Sequence, residues 1–471
     1  MTVSLSSGVV RGTSIGGVNR YLGIPYASTR RFELPQPVEP WGELDATTFG
    51  PTVPQAPYEG VTGTLLSTVE VPGDEWLNLN VWAPAAAQGA PVILWIHGGS
   101  FAHGSNALSV YDGAAFARDG VVFVSINYRV AAEGFSVLAD APLNLGIADQ
   151  FAALEWVQRE IAAFGGDPSR VTVMGESAGG NAVAVLLAHP RASSLFSRAI
   201  IQSGPLTAQA VKSAGRITKL TAKKLGIAAT REAFTRQSPQ SLVEATSAVT
   251  AGSTPITGGP GFAPAVGGEF VPAEPQAALR GGAGAGIPLL IGSTTDEYRL
   301  WFVPTGLVDK VTRVQLLAAQ ALFRIRSSTI RVYRANRPGA SIGHLFGALA
   351  TDLLLRIPLN RLADARLARG AQTHVYEFAW RSPVLDLGAA HAMELGFVFD
   401  TLTQPDAIAL GGPDAPQSLA DEMHAAWVAF ATAGDPGWEV WSSARPVRVF
   451  DADGGRTVNA PRDDERAAWM S

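Results

Sequence analysis

The sequence predicts an α/β fold built on a mainly parallel central sheet flanked by helices. Three observations carry this. Short runs apolar on both faces recur along the chain: VILWI at 92–96, VVFVSI at 121–126, VTVM at 171–174 and AII at 199–201. Runs of that length without alternation suit strands buried on both faces. A helix-period stretch stands between the second and third runs, with Ile147, Phe151, Leu154, Gln158 and Ile161 on one face, four of the five apolar, and strand–helix–strand order argues for a wound sheet. A glycine-rich turn at 175–179 has a strand pattern before it and a helix pattern after it.

The elements follow in order. The first 75 residues read as short strands and loops, because Pro35, Pro37, Pro40, Pro51, Pro54 and Pro57 break any helix. The helix at 147–161 stops at Gly165-Gly166-Asp167-Pro168. Two later strands are expected at 288–292 and 374–379, and residues 419–433 read as a final amphipathic helix. Residues 1–471 are expected to form one domain, with 205–286 as an inserted helical and loop region bordering the site or, on the bland alternative, a surface excursion with no direct role. Within it, residues 251–268 are charge-free and rich in Gly and Pro, so no helix is expected there.

Composition narrows the function. A chain of 471 residues, 47% hydrophobic and 16% charged, builds a large core and is not disordered. With no cysteine it has no disulfide, no cysteine-ligated metal and no thiol nucleophile. A formal charge of −5 disfavours nucleic acid or anionic lipid as the main partner. No uninterrupted apolar run reaches the ~18 residues of a membrane span. The start, MTVSLSSGVVRG, lacks a signal-like pattern, so the expected location is cytoplasmic.

The chemistry concentrates at Gly175, Ser177 and Gly179, a G-x-S-x-G between strand and helix. That turn exposes a serine hydroxyl and aims a helix N-terminus at developing negative charge. The bland alternative is a glycine-rich turn with an N-cap serine. A serine nucleophile needs a base, a carboxylate to orient the base, and donors for an oxyanion. His97, Gly98, Gly99 and Ser100 follow a strand, as oxyanion loops do; otherwise they are an ordinary turn after a packed histidine. The expected order is Ser, acid, His. The pair Asp296-Glu297 follows a strand and leaves the acid open, since only one side chain of the two can face the site. Among later histidines, His374 starts a strand, His424 reads as a surface residue of the last helix, and His344 has no distinguishing context. His391, in a loop after the last strand, is the favoured base.

With these residues in place the chain resembles the type B carboxylesterases of the α/β-hydrolase superfamily, which include cholinesterases and bacterial para-nitrobenzyl esterases. The resemblance runs through LGIPYA at 22–27, Arg31-Phe32, LNVWAP at 79–84, Asn127-Tyr128-Arg129, Gly134-Phe135, Asn144-Leu145-Gly146, Asp149-Gln150, FGGDP at 164–168, GESAG at 175–179 and Gln202-Ser203-Gly204. It implies the α/β-hydrolase fold and a catalytic triad of Ser177, Glu297 and His391. It implies oxyanion donors on the backbone of Gly99, Ser100 and Ala178, and no metal or organic cofactor. The implied activity is hydrolysis of a small-molecule ester through an acyl-enzyme. Carbamate hydrolase, amidase or lipase activity on the same groups stays open. A binding module is a remote rival, because adhesion relatives of this fold lack the serine that stands here. Phe101, Trp301, Phe302 and Phe397 lie beside the catalytic groups in sequence, so an uncharged, hydrophobic substrate is expected, against plain core packing for each. Three positions depart from the family: Tyr298 stands for Gly, Trp76 for a half-cystine, and Ser100 for the third glycine of the oxyanion loop.

Overall fold

The computed structural model describes residues 1–253 and 258–470. Among these residues eleven strands form the central sheet: β1 Thr13–Ile15, β2 Val18–Pro25, β3 Asn78–Pro84, β4 Ala90–Ile96, β5 Val122–Ile126, β6 Gly166–Glu176, β7 Arg198–Gln202, β8 Leu289–Thr294, β9 Thr373–Phe378, β10 Pro446–Asp451 and β11 Gly454–Asn459. Their order is β11-β10-β9-β8-β7-β6-β4-β5-β3-β2-β1. From β5 to β10 every neighbouring pair is parallel, with Ile96 opposite Gly175 and Gln202 opposite Gly292. The two ends of the sheet turn antiparallel.

The apolar runs do what their composition requires. Along β4, Val92, Leu94 and Ile96 enter one core, while Ile93 and Trp95 enter the other. Successive strand side chains point to opposite faces, so a strand covered on both sides must be apolar throughout. Helix α1, Leu145–Glu160, lays Phe151, Leu154 and Val157 on the first face; a 3-10 turn, Ile161–Phe164, follows it and stops at Gly165, whose φ is +82°. The motif residues Arg129 and Asp149 form a fully buried, bidentate ion pair, 2.6 Å at its shorter contact, fixing the segment after β5 to α1.

Several expectations need correction. The strand at 373–378 is not the last, since β10 and β11 follow it. The helix at 419–433 runs Gln417–Ala433, and a further helix, Asp463–Met470, ends the chain. His424 is not a surface residue. It is 2% exposed, with Nδ1 bonded to the Val398 carbonyl and its ring against Phe116. Residues 205–286 run between the neighbouring strands β7 and β8, with helices Val211–Leu225, Arg231–Thr235, Pro239–Thr250 and Pro275–Gly281. Of the stretch expected to be non-helical, 254–257 lie outside the described residues. A second helical excursion, 295–372, joins β8 to β9. Among the described residues one helical run, Ile342–Leu367, is long and apolar enough to cross a membrane; half of it is buried, with Leu345, Leu349, Leu355 and Leu362 inside the protein.

Candidate active site

Five neighbouring strands deliver the site from their C-terminal ends, where open α/β sheets hold their ligands. The loop 97–103 follows β4, Ser177 follows β6, Ser203 follows β7, Glu297 follows β8, and His391 comes after β9.

Ser177 sits between β6 and helix α2, Ala178–Ala188, with φ +56° and ψ −120°. A non-glycine residue takes such a conformation only when its surroundings impose it. Here its N–H bonds Gln202 O at 2.9 Å and its carbonyl receives Asn181 N at 2.8 Å. Ser177 keeps partial exposure while 171–176 and 178–187 are buried. The glycines are needed for close approach. A Cβ on Gly179 would stand 2.0 Å from the Ile96 carbonyl oxygen. Gly179→Ala is therefore expected to cost about 3 kcal/mol of stability or more, read by thermal melting.

His391 Nε2 lies 2.8 Å from Ser177 Oγ, and its Nδ1 lies 2.5 Å from Glu297 Oε2. Glu297 is 1% exposed, and its Oε1 accepts from Ser203 Oγ at 2.6 Å and from Thr294 N at 2.8 Å. Asp296 pairs with Arg381 at 2.8 Å, so of the two acids it is Glu297 that bonds His391. Tyr298 adopts ordinary helical backbone, φ −59°, so this site does not require glycine after the acid. Its ring packs over Gly347, and its hydroxyl lies 2.8 Å from His344 Nδ1. Trp76 is buried and donates its indole N–H to Gly73 O.

The loop 97–103 passes beside the serine. A Cβ on Gly98 would lie 3.1 Å from Ser177 Cβ, and Gly99 has φ +108°. Ser100 and Phe101 follow, each with φ +56°. The loop closes through Gly99 O, which accepts from Ala102 N and His103 N. Ala178 opens α2 directly after the serine. His97 is fully buried, stacked on Tyr128 at 4.5 Å, and burial lowers its pKa to about 4, so it packs as a neutral ring.

Of the aromatic candidates, Trp301 meets the site, with its ring 4.7 Å from that of His391. Helix α3, Arg299–Phe302, carries it there. Phe101 packs on Phe135, Phe302 between Tyr298 and Phe346, and Phe397 against Phe378 and Trp380.

Two buried carboxyls had no role in the sequence reading. Glu176 Oε1 is 3.0 Å from His391 Nε2. Glu394 faces Gln202 Nε2 at 3.3 Å. Burial pushes both above the usual carboxylate range, and the Glu297 charge adds to it. Burial alone would lower His391, but the charges of Glu176 and Glu297 outweigh it and hold the ring up to about 9. Only neutral imidazole accepts a proton. The rise of kcat/KM with pH, for a neutral ester, is thus expected to lie above the ordinary imidazole value. Glu176→Gln removes the largest charge holding the proton and should move that midpoint down by about 1 unit.

A nucleophile elbow on a parallel sheet, with a histidine and a buried acid arriving from later strands, defines an α/β-hydrolase. The Carboxylesterase family profile matches residues 1–448. The para-nitrobenzyl esterase of Bacillus subtilis is 35% identical, over 93% of this chain and 91% of that protein. The phenmedipham hydrolase of Pseudarthrobacter oxydans is 33% identical, over 96% and 95%. A crystal structure of a Geobacillus stearothermophilus carboxylesterase superposes with TM-score 0.88 at 36% identity, covering 99% of both chains. The chain belongs to the carboxylesterase family and is a carboxylic ester hydrolase.

Proposed function

We propose that Ser177, His391 and Glu297 are the catalytic triad and that the substrate is an uncharged, hydrophobic ester. The observation that carries this is the unbroken series from Ser177 Oγ through His391 to Glu297, 2.8 and 2.5 Å. Ser177 Oγ attacks the carbonyl carbon while its proton passes to His391 Nε2. The carbonyl electrons move onto oxygen, which accepts from the N–H groups of Gly99, Ser100 and Ala178. One such donor is worth about 3–4 kcal/mol. Collapse breaks the ester C–O bond, and His391 gives its proton to the leaving alcohol. Water then adds to the acyl-serine by the same route and releases the acid. Glu297 keeps the second ring proton on Nδ1 and stabilises the imidazolium.

The domain reading belongs to the proposal: one catalytic domain, with 205–286 as an insertion at the margin of the site. Asn181, one turn beyond the serine, supports it by donating to the carbonyls of Pro205 and Thr207. A cytoplasmic setting is proposed from the sequence and tested by cell fractionation. Cleavage of carbamates or amides on the same groups is a second reading. It is favoured by the 33% identity to a hydrolase named for a substrate other than a nitrobenzyl ester.

The test is labelling with a serine-directed organophosphate and mass spectrometry of the adduct, beside a panel of esters, carbamates and anilides. Label on a residue other than Ser177 overturns the site; cleavage of carbamates in preference to esters overturns the substrate class. Trp301 is proposed to line the acyl pocket because its ring covers the imidazole. Trp301→Ala is expected to change the ratio of kcat/KM between butyrate and acetate nitrophenyl esters about tenfold. An unchanged chain-length profile removes it from the pocket.

A further inference from the structure

The excursion that brings Trp301 to the imidazole also concentrates charge. Of the 36 basic residues in the chain, seven stand in 310–337, and no acid stands there, although acids outnumber bases overall. Lys310, Arg313, Arg324, Arg326, Arg331 and Arg334 are exposed, and none forms an ion pair among the described residues. Net charge concealed this asymmetry.

Within the same stretch, helix α4, Arg313–Leu322, is packed inside out. A surface helix normally turns its apolar stripe to the core. Here the one buried residue is Leu316, set among Leu345 and Leu349 of helix α5, Ile342–Thr351. The opposite face carries Val314 at 74% and Leu317 at 62% exposure, with the exposed Ala318 and Ala321 beside them. Leu322 at 75% and Phe323 at 49% close its end. An apolar face flanked by unpaired cations is the composition of a helix that lies in a lipid interface.

We propose that α4 and its flanking cations dock the enzyme on an anionic lipid surface. The apolar side chains enter the boundary between headgroups and acyl chains, and the cations face lipid phosphates. A second copy of the chain is a poor occupant, because face-to-face contact would bring two sets of unpaired cations together. A nucleic-acid backbone would satisfy the arginines and leave four large apolar side chains in water. Docked this way, α4 stands on α5, the helix that also holds Tyr298 beside the catalytic acid. The surface acts independently of the triad, so docking is read without turnover.

The experiment is cosedimentation of the full chain with vesicles of phosphatidylcholine alone, or with about 30% phosphatidylglycerol, at low and physiological salt. Binding to the anionic vesicles is expected, at least about tenfold weaker on neutral ones and weakened by salt. The pairs Leu317→Ser with Leu322→Ser, and Arg313→Glu with Arg331→Glu, should each lower binding about tenfold. Turnover of soluble para-nitrophenyl acetate should stay at the parent level in both, which reports folding. If either pair fails to fold, Arg313→Gln with Arg331→Gln reads the same loss. No binding to anionic vesicles overturns the proposal, as does parent-like binding by both pairs. Equal capture by a DNA duplex, lost with the arginines and kept without the leucines, also overturns it. So does a dimer that the leucine pair dissociates.

Discussion

Ser177→Ala is expected to lower kcat for para-nitrophenyl acetate about 10⁵-fold while leaving the fold intact. The fall is large because, on the proposed triad, the nucleophile acts as one unit with its base, and among the described residues no second hydroxyl is hydrogen-bonded to Nε2. Glu176, the other group near that nitrogen, is a carboxyl in a buried pocket. The fold should survive because the backbone bonds that impose the elbow, Ser177 N to Gln202 O and Asn181 N to Ser177 O, do not involve the side chain. Among the described residues Oγ has a single hydrogen bond, to His391, so its loss costs about 1 kcal/mol at most. The measurement pairs kcat/KM with a melting curve. A variant that melts like the parent but keeps a tenth of its activity would remove Ser177 from the chemistry. A small residue above water is expected, because the proposed oxyanion donors, the amides of the 99–100 loop and of α2, remain.

What the sequence revealed, and what it hid, follows from where each signal lives. The elbow was legible because its determinants are local: a strand, two glycines and a helix within 17 residues. The core strands were legible because burial on both faces leaves no polar alternation. β10 and β11 were not, because they close the sheet edge and alternate Val447, Val449 and Val458 with Arg448 and Arg456. His424 was misjudged although the periodicity contained it: with Ala420, Trp427 and Ala431 it falls on the buried stripe of Gln417–Ala433. The polarity of one side chain outweighed the helical angle. Glu176, Ser203 and Glu394 carry no local sign of their tasks. Glu176 occupies a variable place in the motif, and its task exists only because a histidine 215 positions later folds to within 3.0 Å. The inverted face of α4 was hidden for a related reason, since a helical pattern gives an apolar stripe but not which side the protein covers.

Glu297→Gln is expected to lower kcat about 10⁴-fold, although the replacement is nearly isosteric. The reason lies in the two oxygens of the native carboxylate. Oε1 accepts from the Thr294 backbone N–H, a donor that cannot reverse, and from the Ser203 hydroxyl, which can. A glutamine must therefore set its carbonyl oxygen at that position, because an amide NH2 there would face the fixed donor. Its NH2 is then directed at His391 Nδ1, where it can only donate. The ring can accept that bond only by giving up the Nδ1 proton and carrying it on Nε2. In that tautomer Nε2 points a hydrogen at Ser177 Oγ and cannot take the serine proton. Raising the pH should not restore activity, because even once the ring is neutral its proton sits on the wrong nitrogen. Glu297→Asp keeps the charge and shortens the reach, so it should retain more activity than the amide. A glutamine variant within tenfold of the parent, or one rescued by alkali, would mean that this carboxylate does not set the tautomer.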